Sequence, residues 1–129
     1  MVNRYFERIE RIINGFREVI TKQVISKKTY NDTQGIISGE IEFIDQSELS
    51  FMELKNTEQP KKKKYKYHYM DNDKEMIFRY DNAQHHPEVA TFPHHKHTTD
   101  KIEESNEPEI IDVLSEIQDK IKSEQVNEK

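Results

Sequence analysis

Residues 64–81, which read KYKYHYMDNDKEMIFRYD, decide the fold that this sequence predicts. Two runs of alternating apolar and polar side chains flank a polar turn over residues 71–74, which is the pattern of a β-hairpin. A loop centred on residues 72–73 predicts a register in which six aromatic or apolar side chains share the core face. The predicted pairs on that face are Tyr69 with Met76, Tyr67 with Phe78, and Tyr65 with Tyr80.

The opposite face of this predicted hairpin is polar and mainly cationic. The same register pairs His68 with Ile77, Lys66 with Arg79, and Lys64 with Asp81. A strip that carries an imidazole and several cations is therefore expected on the outer surface of the sheet.

An amphipathic helix is predicted before the strands, and Gly15 is expected to stop it. Its apolar positions recur at helical spacing: Tyr5, Phe6, Ile9, Ile12, Ile13 and Phe16. A β-rich run over 19–30 follows, and then a hairpin over 35–54 that turns at 45–47. The inward positions of that hairpin are Ile37, Ile41, Phe43, Leu49 and Phe51.

A second helix is predicted near the C-terminus. Asn106 and Glu109 fit a capping box, and Pro108 falls in the first turn. The apolar stripe of this helix consists of Ile110, Leu114, Ile117 and Ile121. The sequence thus predicts one α+β domain over residues 1–122, with a single antiparallel sheet of about five strands flanked by an N-terminal and a C-terminal helix. An acidic tail over 123–129 is expected to fray.

Composition narrows the class of protein. The chain has 129 residues, of which 33% are hydrophobic and 35% charged, so one domain with a small core is expected. It contains no cysteine, which excludes disulfides and thiolate metal sites. It has no signal-peptide pattern and no apolar run of membrane-spanning length, so a cytoplasmic protein without membrane contact is expected. The apolar stripes of the two helices leave a homodimer open as an alternative to a monomer.

Histidines are concentrated in residues 81–97, DNAQHHPEVATFPHHKH, which hold five of the six in the chain. The prolines of this segment argue against a central strand. Three explanations are open: a metal site, an acid–base site, or an accident of a polar loop. His94, His95 and His97 are the alternative metal ligands, but they lack the usual helical spacing and Lys96 places a cation beside them. No metal or cofactor is therefore predicted.

Acid–base chemistry on RNA fits the same residues. Cleavage without metal needs a base for the 2′-hydroxyl, an acid for the leaving oxygen, and cations for the phosphorane charge. The candidate acids and bases are His68, His85, His86, His94, His95 and His97. Asp81 would orient a histidine or arginine. The candidate phosphate-binding residues are Lys64, Lys66, Arg79 and Lys96. Exposed tyrosines of the hairpin could stack on bases.

Structural explanations compete with each of these assignments. Alternating Tyr65, Tyr67 and Tyr69 are typical of core packing, and the lysine run at 61–64 is typical of a solvated loop or strand edge. Arg79 can simply pair with Asp81 or Glu75. The two histidines at 85–86 precede a proline and can cap a turn.

The central block resembles that of the TumE-type toxins of prokaryotic toxin–antitoxin systems. The similarity lies in the segments YKYHY (65–69), FRYDNA (78–83), HHPE (85–88) and FPHHKH (92–97), and in NEPEIIDVLSEI (106–117). Gln84 departs from the family's usual proline and Gln46 from its usual turn glycine.

The resemblance implies a growth-inhibiting toxin that a cognate antitoxin neutralises, often a helix-turn-helix protein encoded beside it. An endoribonuclease or other RNA-directed inhibitor of translation is the leading hypothesis for its activity. A non-catalytic module that binds nucleic acid or a partner is the first alternative. A metal-dependent hydrolase that uses the histidine cluster is the second.

Overall fold

A computed structural model describes residues 1–83 and 93–127 of the chain. One antiparallel sheet of seven strands follows the order of the chain from β1 to β7, so that each strand pairs with its neighbour in sequence. The elements are α1 (Val2–Asn14), a 3₁₀ turn (Arg17–Val19), β1 (Ile20–Thr29), β2 (Gln34–Phe43), β3 (Glu48–Asn56), β4 (Lys64–Met70), β5 (Met76–Asp81), β6 (His95–Thr98), β7 (Ile102–Glu104) and α2 (Ile110–Asn127). The α+β class and the two flanking helices are confirmed. Within the described ranges, no helix is long and apolar enough to cross a membrane.

Both helices pack on the same face of the sheet. The predicted stripes of α1 and α2 are buried there, together with the inward side chains of the strands. The core thus comprises, among others, Phe6, Ile9 and Ile13 from α1, Ile110, Leu114, Ile117 and Ile121 from α2, and Ile37, Ile41, Phe43, Leu49, Phe51, Tyr65, Tyr67, Tyr69 and Phe78 from the sheet. Since every strand alternates, the polar residues between these positions face away from the helices.

The predicted register of the β4–β5 hairpin is wrong by two positions. Tyr69 pairs with Phe78 and Tyr67 with Tyr80, and the register shifts between Tyr69 and Met70. The backbone N–H of Asp71 donates to the Glu75 carbonyl at 2.9 Å, so the loop has three residues, 72–74, and Lys74 takes the left-handed φ of 66° typical of such a loop. The irregularity beside Tyr69 supplies the rest of the shift. The Asp71 carboxylate stabilises this turn by accepting the backbone N–H groups of Asp73 and Glu75. The shift of two positions keeps Tyr65, Tyr67, Tyr69, Phe78 and Tyr80 on the core face and Lys66, His68, Arg79 and Asp81 on the outer face, as predicted. The prediction is wrong for Met76 and Ile77, because the irregularity pairs Met76 with Met70 on the outer face and leaves Ile77 to pack against the core.

The histidine segment contains a central strand, which the sequence did not predict. Strand β6 pairs with β5 on one side and with β7 on the other, and these two additional strands raise the predicted number from about five to seven. Prolines did not prevent this because Pro93 lies before the strand, so that each residue of β6 keeps its N–H.

The sequence predicts the end of α1 correctly but places the start of α2 too early. Helix α1 ends at Asn14, directly before the predicted stop at Gly15. Helix α2 begins at Ile110 rather than after Asn106, because the Asp112 carboxylate accepts the backbone N–H of Glu109 at 2.9 Å and caps the helix there. Fraying from residue 123 onward stays a prediction.

A candidate acid–base site on the open sheet face

Six of the predicted site residues lie on three adjacent strands of the face turned away from the helices. The registers of β4, β5 and β6 form two neighbouring rows across these strands. The first row is Lys66, Asp81 and His95, and the second is His68, Arg79 and His97. Side chains from two distant parts of the sequence are thus brought together by strand pairing.

The Asp81 carboxylate is the centre of this cluster. It is 2% exposed, and three cationic or titratable groups approach it. His95 Nε2 lies 2.7 Å from Oδ1, Arg79 Nε lies 2.8 Å from Oδ2, and His97 Nε2 lies 3.3 Å from Oδ2. A buried carboxylate needs such compensation because desolvation disfavours its charge. Asp81 can therefore fix the positions of both imidazoles and of the guanidinium.

His95 forms the inner layer of the site. Its side chain is fully buried, and its second ring nitrogen, Nδ1, lies 2.9 Å from the carbonyl oxygen of Pro93. With an acceptor on each side, the ring is held in one orientation. The ring of His97 packs edge-on against it, with 4.7 Å between the ring centroids.

The outer layer of the site is accessible to solvent. The side chains of His97 and Arg79 are 18% and 36% exposed, so both can meet a ligand that Asp81 and His95 cannot reach. His68 lies directly opposite Arg79. Burial, followed by the charges of Arg79 and Lys66, lowers the pKa of His68 below its usual value of 6.5. His68 is therefore uncharged near neutral pH and can accept a proton.

The structure separates three other candidates from this cluster or sets them at its margin. His94 stacks on the Tyr65 ring, and its Nδ1 lies 3.0 Å from the Tyr65 hydroxyl; burial lowers the pKa of His94. Lys96 points to the helix side, where its Nζ lies 3.0 Å from Glu116 Oε2. Lys64 is exposed at the start of β4, two positions before Lys66. The histidines at 85 and 86 lie outside the described residues.

One group of side chains could hold a metal ion. A ligand atom from each of Asp81, His95 and His97 lies within 4.8 Å of the other two. Two imidazoles and a carboxylate are a common ligand set for divalent transition metals. The alternative set predicted from the sequence had His94 in place of Asp81. The guanidinium of Arg79, which contacts the same carboxylate, opposes the binding of a further cation there.

The helix side of the sheet holds the predicted aromatic residues and one buried acid that the sequence did not indicate. Tyr65, Tyr67 and Tyr69 are fully buried, so their packing role is confirmed and they are not available to stack on bases. Glu53 was missed, although it continues the inward alternation of β3. Its carboxylate accepts hydrogen bonds from the hydroxyls of Tyr5 and, at 2.6 Å, Tyr67. Burial and the adjacent Glu53 raise the pKa of Tyr67, which keeps its hydroxyl protonated.

Comparison with known proteins gives one match. A family model described as "Toxin TumE" matches residues 7–125, which is most of the chain. No curated protein and no solved structure matches the chain significantly.

Proposed function

We propose a molecular activity for this chain from the premise that it belongs to the TumE toxin family, which the match over residues 7–125 establishes. Family membership makes it the toxin component of a toxin–antitoxin system, with a cognate antitoxin as its partner. Within that role, we propose that it is a metal-independent endoribonuclease. Because the proposed substrate is cellular RNA, the reaction would take place in the cytoplasm.

The observation that carries this proposal is the row of His68, Arg79 and His97 on one open sheet face, in which the Asp81 carboxylate contacts Arg79 and His97. These are the three kinds of group that RNA cleavage by its own 2′-hydroxyl needs. The 2′-oxygen attacks phosphorus, the bond from phosphorus to the 5′-oxygen breaks, and the products are a 2′,3′-cyclic phosphate and a 5′-hydroxyl.

Each group has a distinct part in this reaction. His68 accepts the proton of the 2′-hydroxyl, because its lowered pKa leaves it uncharged near neutral pH. His97, which is partly exposed beside Asp81, protonates the leaving 5′-oxygen. Arg79 stabilises the charge that develops on the phosphorane, and Lys64 and Lys66 contact the RNA backbone along the same face.

Asp81 and His95 are positioning residues in this proposal. Both are buried, and neither can touch the RNA directly. Asp81 aligns Arg79 and His97, and His95 completes the set of basic side chains around Asp81. Such alignment matters because small displacements of reacting groups reduce rates strongly.

The test compares two histidines from the same segment. Purified wild type, His97→Ala and His94→Ala proteins are incubated with RNA in the presence and absence of EDTA, after each has been checked for folding. We expect cleavage by the wild type to survive EDTA, His97→Ala to lose roughly 10²- to 10⁴-fold in rate, and His94→Ala to stay close to the wild type. Expression from a tight promoter should give growth arrest and RNA fragmentation for the wild type and His94→Ala only.

Intact RNA with every purified protein would contradict the ribonuclease proposal. RNA binding that weakens with salt but gives no turnover would then favour a non-catalytic binding module.

A metal-dependent hydrolase is the second candidate, because the ligand atoms of Asp81, His95 and His97 converge. In that case EDTA would abolish activity and one divalent ion would restore it. His95→Ala would then reduce metal affinity, which equilibrium dialysis measures independently of RNA cleavage.

A further inference from the structure

We propose that the outer edge of strand β1 binds an extended, acidic segment of the cognate antitoxin as an additional antiparallel or parallel strand. This inference rests on membership of the toxin family and does not depend on the ribonuclease activity. It assigns the partner to a surface far from the candidate acid–base site.

Strand β1 forms one end of the sheet. It spans the ten residues Ile20–Thr29, and within residues 1–83 and 93–127 its strand partner is β2 alone. An edge of this length presents a row of backbone donors and acceptors that can pair with another chain. It contains no proline or glycine, and Val24 is 56% exposed on it.

The phase of the β1–β2 ladder shows which backbone groups face outward. Tyr30 donates its N–H to the Gln34 carbonyl at 2.9 Å, so the pair formed by these two residues is hydrogen-bonded. Hydrogen-bonded pairs alternate along an antiparallel ladder. The N–H and C=O groups of Gln23, Ile25 and Lys27 therefore point away from β2, toward the outer edge.

The positive charge of β1 favours an acidic partner. The strand carries Lys22, Lys27 and Lys28 and no acidic residue. Lys27 pairs with Glu10 of α1 at 2.7 Å and Lys22 lies opposite Glu42 of β2, so a partner would meet Lys28 directly and would share Lys22 and Lys27 with these two acids. A second copy of this chain is a poor partner, because antiparallel pairing about the middle of β1 would place Lys22 opposite Lys27 or Lys28 of the other copy. An extended segment rich in Asp or Glu would place opposite charges there.

Lysines on an edge strand can also serve only to prevent aggregation, and this is the competing explanation. The two explanations predict different states of the β1 edge when the antitoxin is bound. A protective edge stays exposed in the toxin–antitoxin complex, whereas a docking edge becomes protected.

The edge of β1 is too far from the candidate site for an antitoxin segment bound there to cover that site. Strand β1 lies four strands from β5 in the sheet. At a spacing of ~4.8 Å per strand, this corresponds to roughly 19 Å. A segment paired with β1 therefore leaves Arg79 and His97 uncovered, and the edge serves as an anchor for the antitoxin.

The first experiment measures affinity for the antitoxin encoded beside the toxin gene, with both proteins purified and binding followed by calorimetry. Gln23→Pro removes one outward N–H without touching the bonds to β2, and Gln23→Ala is the matched control. We expect Gln23→Pro to bind roughly tenfold more weakly or worse, and Gln23→Ala to bind like the wild type.

A second pair of variants tests charge and does not depend on the proline substitution. The double variant Lys22→Glu/Lys28→Glu reverses two positive charges on β1. The control double variant Lys101→Glu/Lys122→Glu reverses two positive charges elsewhere on the protein. We expect the first pair alone to weaken binding beyond what the change in net charge produces. Thermal melting of each variant confirms that it is folded.

Hydrogen exchange of the complex supplies the decisive readout. The amides of Gln23, Ile25 and Lys27 should exchange more slowly when the antitoxin is bound. Unchanged exchange at these amides would overturn the proposal, as would equal affinities for Gln23→Pro and Gln23→Ala. Neither result would bear on RNA cleavage, which is measured separately.

Discussion

Replacing Glu53 should destabilise the fold, because its buried carboxylate joins α1 to the sheet. Glu53 is fully buried on β3 and accepts the hydroxyl of Tyr67 on β4 at 2.6 Å and that of Tyr5 on α1. Glu53→Leu keeps the side chain's approximate size and removes the acceptor of both hydroxyls.

The expected magnitude follows from the exposure of the two tyrosines. Tyr67 is fully buried, so its hydroxyl would lose a charge-assisted hydrogen bond with no water to replace it. Tyr5 is only partly buried, so its hydroxyl can turn toward solvent. Removal of the carboxylate also relieves its own desolvation, which offsets part of the effect. We therefore expect Glu53→Leu to lower the free energy of unfolding by about 2–4 kcal/mol, and Glu53→Gln by about 1 kcal/mol because the amide oxygen still accepts one hydroxyl.

Urea denaturation of four proteins tests this reasoning. These are the wild type, Glu53→Leu, Tyr67→Phe and the double variant, which together form a double-mutant cycle. We expect a coupling of about 1–2 kcal/mol between the two positions. The reasoning is refuted if Glu53→Leu is as stable as the wild type, or if the effects of the two substitutions simply add.

Three further predictions concern the sheet. Asp81→Asn should reduce RNA cleavage roughly 10²- to 10⁴-fold in a fluorescent RNA assay while the variant remains folded, because the amide no longer aligns Arg79 and His97. Unchanged cleavage would remove Asp81 from the proposed site. The pKa of His68 in the folded protein lies below its unfolded value of 6.5, so as the pH falls the unfolded chain binds a proton at His68 before the folded protein does. The contribution of His68 to the free energy of unfolding is therefore fully present above pH 6.5 and is lost as the pH falls below that value. Melting temperatures measured between about pH 7 and pH 5 should fall less in His68→Gln than in the wild type. A Cβ at Gly39 would lie 2.8 Å from the Val24 carbonyl oxygen, so Gly39→Ala should lower the free energy of unfolding by about 1–3 kcal/mol in urea titration, whereas Ser38→Ala should change it little.

Local pattern in the sequence was enough to predict the two helices and the faces of the central strands. The apolar stripes of α1 and α2 and the alternation of β2 to β4 have periods of 3.6 and 2, and burial follows these periods in the structure. Burial along β5 does not, because Asp81 is buried on the outer face. An error of two positions in the β4–β5 register left the faces of residues 78–81 intact, because side chains repeat their direction every second residue, but the irregularity beside it reversed Met76 and Ile77. Long, strongly patterned elements are the ones whose burial can be predicted without knowledge of their neighbours.

The grouping of the site residues could not be predicted, because it depends on one short strand. Strand β6 has four residues and no apolar alternation, so nothing local marks it. Once it pairs with β5, alternation sends His95 and His97 to Asp81 and sends Lys96 to Glu116 on the other face. His94 precedes the strand and joins Tyr65 instead.

The sequence by itself therefore determined which residue types are available and which face of each long element is apolar. Only the tertiary structure decided which titratable groups meet. The physical reason is that helical and strand periodicity are local properties of the chain, whereas the neighbours of a strand are set by pairing between segments that are distant in sequence. The Asp81 cluster and the exposed edge of β1 are both consequences of that pairing.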